Sequence, residues 1–183
     1  MATLHTERLE LRPWRRDDVD FVFDLYSRWD VKRYIGREPR VMEDRSEAVA
    51  LLDRLVSFDD PVQGYWAVER TVAGAGAGQL VGTILVKSIP ASGPAEPLEP
   101  SGDIEIGWHF HPDSWGMGLA SEAAAAVLAH AFAGGLERVV AVTNPLNLAS
   151  RRVCERIGMS HEGQTDAYYN ATCELYVAVG GSR

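Results

Sequence analysis

The run Trp115-Gly116-Met117-Gly118-Leu119-Ala120 offers anion chemistry. It lies between a stretch that reads as a strand, Asp103 to His111, and one that reads as a helix, Leu119 to Phe132. Glycines at a strand-to-helix turn leave backbone N–H groups unshielded. The helix start adds unpaired N–H groups and the positive end of its dipole. A phosphate or pyrophosphate fits such a place. Plain turns and close packing use the same residues, and neither a dinucleotide fingerprint nor a P-loop is complete here.

A second candidate is the strand itself. Ile104, Ile106, Trp108 and Phe110 alternate onto one face, and Asp103, Glu105, Gly107, His109 and His111 onto the other. Three readings stay open: a polar face without function, an active-site face with Glu105 as general base, and a metal site of His109, His111 and Glu105. The last lacks a further protein ligand of fitting spacing, and no metal is expected. A third candidate is the run Asn147 to Met159. Asn147 is a good N-cap and Gly158 a good C-cap. Leu148, Val153 and Ile157 can bury one face, while Asn147, Ser150 and Cys154 share another stripe.

The elements that must position these residues follow from periodicity and turn chemistry. Leu4 to Arg12 alternates as a strand that Pro13 ends. Asp17 and Asp18 are placed to cap a helix over Val19 to Trp29, and a second helix runs from Asp44 to Phe58. Tyr65–Thr71 and Gln79–Ser88 read as a hairpin whose tip is the Ala/Gly run from Ala73 to Gly78. After the proline-rich loop Ile89–Gly102 come the strand and helix already described, a strand Arg138–Thr143 and a helix Asn147–Ile157. Closing strands cover Ser160–Tyr169 and Thr172–Val179. That order predicts an α+β fold with a mixed sheet and helices on both faces.

The 183 residues suit one domain, 1–183. A net charge of −8 argues against a nucleic-acid partner. It suits amine substrates only weakly, since solubility explains it as well. No run is apolar enough to span a membrane, no membrane partner is expected, and Met1 to Arg16 lacks the apolar centre of a signal peptide. Cys154 and Cys173 have neither metal nor disulfide-framework spacing and read as small buried residues, so a cytoplasmic protein is expected.

Taken together, the motifs resemble the GNAT superfamily of N-acetyltransferases. Nearest is the branch named for ribosomal-protein alanine acetyltransferases (RimJ/RimL-like). The resemblance rests on the W-G-x-G-x-A turn, on N-x-x-S-x-x-x-x-x-x-x-G-M from Asn147 to Met159, and on Thr6-Glu7-Arg8-Leu9-Glu10-Leu11-Arg12-Pro13. It rests also on Ile104-Glu105-Ile106-Gly107-Trp108 and Ala120-Ser121-Glu122-Ala123. It implies the acyl-CoA N-acyltransferase fold, with a mostly antiparallel seven-stranded sheet. It implies acetyl-CoA as donor, its pyrophosphate on the turn formed by Trp115, Gly116, Met117, Gly118, Leu119, Ala120 and Ser121. Its pantetheine arm would lie along Trp108, His109 and Phe110, with Asn147 and Ser150 lining the cleft.

The same resemblance implies direct transfer to a primary amine, an α-amine of a protein N-terminus or a small molecule. Glu105 is then the base and Ser150 the group that assists the leaving thiolate, because Cys154 stands where many members carry a tyrosine acid. Trp29, Tyr34, Tyr168 and Tyr169 are candidates to shape the acceptor pocket. An acetyl-CoA sensor or interaction module with little catalysis is the alternative, and a homodimer stays open.

Overall fold

A computed structural model describes residues 1–71 and 78–181. The expected hairpin tip falls almost wholly on residues 72–77, outside the described residues. The strands are β1 (Leu4–His5), β2 (Leu9–Pro13), β3 (Gly64–Arg70), β4 (Gln79–Pro90), β5 (Pro100–Phe110), β6 (Arg138–Thr143), β7 (Ser160–Thr165) and β8 (Cys173–Val179). The helices are α1 (Val19–Ser27), α2 (Trp29–Lys32), α3 (Arg45–Ser57), α4 (Leu119–Ala133) and α5 (Leu148–Arg156). The sheet order is β1-β2-β3-β4-β5-β6-β8-β7, antiparallel throughout except between β5 and β6. The α+β expectation holds, with one strand more than expected.

The extra strand comes from the N-terminus. The alternation from Leu4 to Arg12 is continuous, yet the chain turns back at Thr6–Arg8 and β1 pairs with β2. The turn closes by the Thr6 N–H donating to the Leu9 carbonyl at 2.9 Å, and Glu122, in the first turn of α4, braces it. Its carboxylate accepts from the Thr6 hydroxyl (2.5 Å), the Arg8 N–H (2.9 Å) and Arg8 Nε (2.7 Å). Burial pushes this carboxyl up, but those hydrogen bonds outweigh it and hold it below its ordinary value.

The helix expected over Val19–Trp29 breaks at Arg28, whose backbone is extended and whose guanidinium folds back on Asp24. Asp18 does not cap α1 with its side chain. Its carboxylate instead takes the buried Arg12 guanidinium at 2.8 and 2.9 Å and the Arg15 N–H at 2.8 Å. Asp44 does cap α3, in a capping box with Glu47.

The two apolar layers follow the alternation. Trp14, Val22, Leu52 and Ala67 bury α1 and α3 on one face of the sheet. Leu9, Trp66, Ile106, Phe110, Val127, Val139 and Cys154 bury α4 and α5 on the other. Leu148 departs from the expected helix face and is exposed, while Cys154 and Val153 are buried. No helix among the described residues is long and apolar enough to cross a membrane.

Candidate active site

The one parallel neighbour pair opens a gap in the sheet. β5 and β6 pair at a single register position, Glu105 with Val140, and diverge beyond it. The His111 N–H donates to the Val81 carbonyl on β4 at 2.8 Å. Alternation then turns the N–H and C=O groups of Phe110 and Trp108 toward β6 and the gap. The Phe110 carbonyl is taken by the Trp115 indole N–H at 2.8 Å, which closes the strand end. The Trp108 groups and the Phe110 N–H are left facing the opening.

Two cavities meet at this gap, of about 420 and 340 Å³. Tyr34, Ile35, Trp108, His109, Asn147 and Ser150 line both.

The first cavity runs over the start of α4. Gly116 and Gly118 both have left-handed backbones, with φ of 75° and 76°. Gly118 is the N-cap of α4 and has no side-chain cap, so the first N–H groups of a 15-residue helix open onto the cavity. Arg8 braces the turn from below, donating to the Met117 carbonyl at 2.9 Å. The Ser121 hydroxyl is buried without a hydrogen-bond partner among the described residues, and Ser121 lines this cavity. Arg33, Arg152 and Arg156 line it too. An acid-rich chain thus presents arginines, an orphaned hydroxyl and free helix N–H groups at one place, which fits a polyanion.

The second cavity lies toward α2 and the β7–β8 loop, and Glu105 lines it. The Glu105 carboxylate is buried and accepts from Lys87 Nζ at 2.6 Å and from the Tyr169 hydroxyl. Lys87 is its direct cross-strand partner on β4. His109 meets the Tyr26 hydroxyl through Nδ1 at 2.9 Å. Burial, helped by the Lys32 charge, lowers His109 to about 4, so the imidazole is neutral near pH 7. His111 is buried and engages Asp24 at 3.0 Å, away from Glu105's partners. Among the described residues no group of three or more His, Cys, Asp or Glu is arranged to hold a metal ion.

Helix α5 forms the far wall. The Asn147 side chain caps it, accepting the Ser150 N–H at 3.2 Å. Ser150 is half-buried at the junction of the cavities. Cys154, one turn on, lines the second cavity but is otherwise buried in the core, and burial pushes its thiol up to about 12. A thiol held there stays protonated and unreactive.

Of the residues singled out in the sequence, Trp108, His109, Phe110, Trp115, Gly116, Gly118, Leu119, Ala120, Ser121, Asn147 and Ser150 line the first cavity. Met117 does not, because its side chain is exposed and only its carbonyl is used, by Arg8. Tyr34 lines both cavities and Tyr169 the second. Trp29 is exposed and lines neither. Tyr168 lines neither either. It is buried against Ile89 and Val140, with its hydroxyl donated to Asp103 at 2.6 Å.

Sequence reasoning missed Lys87, Arg8 and the three cavity arginines. Lys87 had a signal, as the single charged residue of the long apolar strand β4. Arg152 and Arg156 had one as well, since they stand one helical turn apart just after the Asn147 cap. Arg8 and Arg33 had none.

Comparison with known proteins agrees with this geometry. The model of the acetyltransferase (GNAT) domain matches residues 8–160. The uncharacterized N-acetyltransferase YoaA of Bacillus subtilis (strain 168) is 29% identical over 167 residues, covering 90% of this chain and 86% of that protein. A GNAT-family acetyltransferase from Bacillus anthracis superposes with a TM-score of 0.75 at 26% identity, covering 98% of this chain and 99% of that one. RimL, a ribosomal L7/L12 α-N-protein acetyltransferase solved in complex with coenzyme A, has the same fold. Its TM-score is 0.75 at 16% identity, covering 97% of this chain and 98% of that one. With a splayed strand pair, an uncapped glycine turn and a domain match over most of its length, the chain belongs to the GNAT family of acetyltransferases.

Proposed function

We propose that the chain moves an acetyl group from acetyl-CoA to a primary amine by direct attack, with the donor in the first cavity and the acceptor in the second. The observation that carries this reading is their junction. A polyanion site and a carboxylate-bearing cavity meet at the gap between β5 and β6, where Trp108, Asn147 and Ser150 belong to both. Ser121, Arg33, Arg152 and Arg156 would hold the donor's phosphates. The strand edge at Trp108 and Phe110 would pair with its pantetheine arm and stabilise charge developing on the thioester oxygen.

The amine nitrogen bonds to the thioester carbon, the C–S bond breaks, and the amine proton passes to Glu105 directly or through a water. No covalent enzyme intermediate is needed, and the inert Cys154 offers none. The acceptor is an α-amine of a protein N-terminus or small molecule. The shared fold with RimL, which acts on a ribosomal protein, supports the first.

The test is a screen of α-amines and alkylamines with acetyl-CoA, read as thiol release. Turnover with at least one acceptor is expected. Saturable acetyl-CoA binding with no thiol release for any amine would instead favour a sensor, and absence of binding would sink both readings.

Ser150 makes a further expectation. It lies at the cavity junction, while Cys154 is buried in the core and reaches only the second cavity. Ser150→Ala is expected to slow turnover about tenfold, below the usual range for losing a full acid–base group. Cys154→Ala is expected to change it less. A full-rate Ser150→Ala enzyme would mean that water protonates the thiolate, and a slower Cys154→Ala enzyme would reverse the two assignments.

A further inference from the structure

The acceptor reading treats Glu105 as a free base, yet Glu105 is not free. Lys87 stands directly opposite it across the β4–β5 ladder, on the same face. Its ammonium donates to Glu105 Oε1 at 2.6 Å, to the Tyr169 hydroxyl at 2.8 Å and to the Ser88 carbonyl at 3.3 Å. An ammonium has three hydrogens, and here each has an acceptor. The Glu105 side chain is 9% exposed and that of Lys87 24%, so the pair is largely screened from water.

The clamp is held from a second direction. Tyr169 and Asn170 both have left-handed backbones, with φ of 60° and 53°. In tyrosine such a conformation persists only where its surroundings impose it, whereas asparagine adopts it readily. Here the Asn170 side chain accepts the Gly93 N–H and donates to the Gly93 carbonyl, and its backbone N–H donates to the Ser92 hydroxyl. The loop after β4 thereby fixes Tyr169 over Glu105 and Lys87, and the Tyr169 ring lies 5.3 Å from the ammonium.

Among the described residues, the rest of the second cavity carries no other charged side chain. Its walls include Tyr34, Ile35, Leu85, Trp108, Val142 and Ala171. Its carboxylate is balanced by its ammonium, and among the described residues that line it no further carboxylate stands ready for a cation.

We propose that Lys87 determines acceptor specificity: by neutralising Glu105 it leaves the second cavity without spare negative charge, so that acceptors with one amine on an apolar body enter and polyamines and other polycations are refused. This rests on the reading of that cavity as the acceptor site.

The test is calorimetric binding of butylamine and of 1,4-diaminobutane to the protein saturated with coenzyme A, at pH 7.5. The parent is expected to bind butylamine at least tenfold more tightly. Lys87→Met frees the carboxylate and is expected to move that ratio at least tenfold toward the diamine, while Lys87→Arg keeps the parent's order. A purely structural lysine would weaken both amines alike, and that result overturns the proposal. So does a parent that binds the diamine as well as butylamine, or that binds neither. The parent comparison needs no variant, so a poorly folding Lys87→Met protein does not shelter the idea. Selective binding of butylamine without thiol release from acetyl-CoA overturns the transfer chemistry and leaves charge selection standing.

Discussion

Glu105→Gln is expected to lower turnover of an alkylamine by about a hundredfold, the low end for a full acid–base group, with acetyl-CoA affinity unchanged. The reason is the acceptor's own ionisation. An α-amine titrates near 7.7–8.0, so roughly a tenth is neutral at pH 7. An alkylamine near 10.4 is neutral in fewer than about one molecule in a thousand. The second has more to gain from a carboxylate that takes its proton at the gap. Raising the pH from 7 to 9 neutralises the α-amine in solution, so the variant's deficit should shrink for the α-amine and persist for the alkylamine. Gln preserves the shape but leaves the Lys87 charge unpaired, so melting curves must accompany the kinetics. The paired variant Lys87→Met with Glu105→Gln removes that charge and separates lost stability from lost chemistry. Equal, unchanged rates for both acceptors would remove Glu105 from the mechanism.

The parts of this site that could be read from the sequence are those built by local chemistry. The alternation of β5, the Gly116 and Gly118 turn and the Asn147 cap are short-range patterns. Each sits where its periodicity or capping rule puts it. The parts that could not be read are made by residues far apart in the chain. The N-terminal strand looked continuous because its alternation runs through Thr6–Arg8. The turn closes on local Thr6–Leu9 hydrogen bonds, and Glu122 holds it with acceptors from more than a hundred residues away. Lys87 became a partner of Glu105 through the register of β4 on β5, which one-residue slippage would have undone.

The closing strand shows the same limit. A strand was expected through Tyr169, but β7 ends at Thr165. The segment beyond it is drawn away to the loop after β4, by the Ser92–Ala167 backbone bond and the Asn170 side chain. That departure from regular structure carries Tyr169 to Glu105, whereas Tyr168, its neighbour, turns into the core against Asp103. Of two adjacent tyrosines with the same composition signal, the one with the left-handed backbone, Tyr169, serves the cavity.

Gly118→Val is expected to weaken acetyl-CoA binding about a hundredfold. Gly118 is the N-cap of α4 with φ of 76°, a conformation that costs a residue bearing a Cβ roughly 1–2 kcal/mol. Branching at Cβ makes Val a worse fit still. A Cβ at this position would meet Arg8 Nη2 at 3.6 Å, an ordinary contact, so the damage comes from the backbone and not from a clash. Relaxing that backbone swings the first N–H groups of α4 away from the place where the pyrophosphate would sit. A lost charge-assisted hydrogen bond adds about 1.5–3 kcal/mol, and a total near 3 kcal/mol corresponds to about two powers of ten in Kd. Gly118→Asn is the matched control, because asparagine visits the left-handed region readily, and its loss should stay within about tenfold. Titration of each variant with acetyl-CoA, beside melting curves without ligand, separates binding from folding. A valine variant that binds like the parent would move the pyrophosphate off this turn. An asparagine variant as weak as valine would show that the bare space over the glycine, rather than its backbone angle, is what the donor requires.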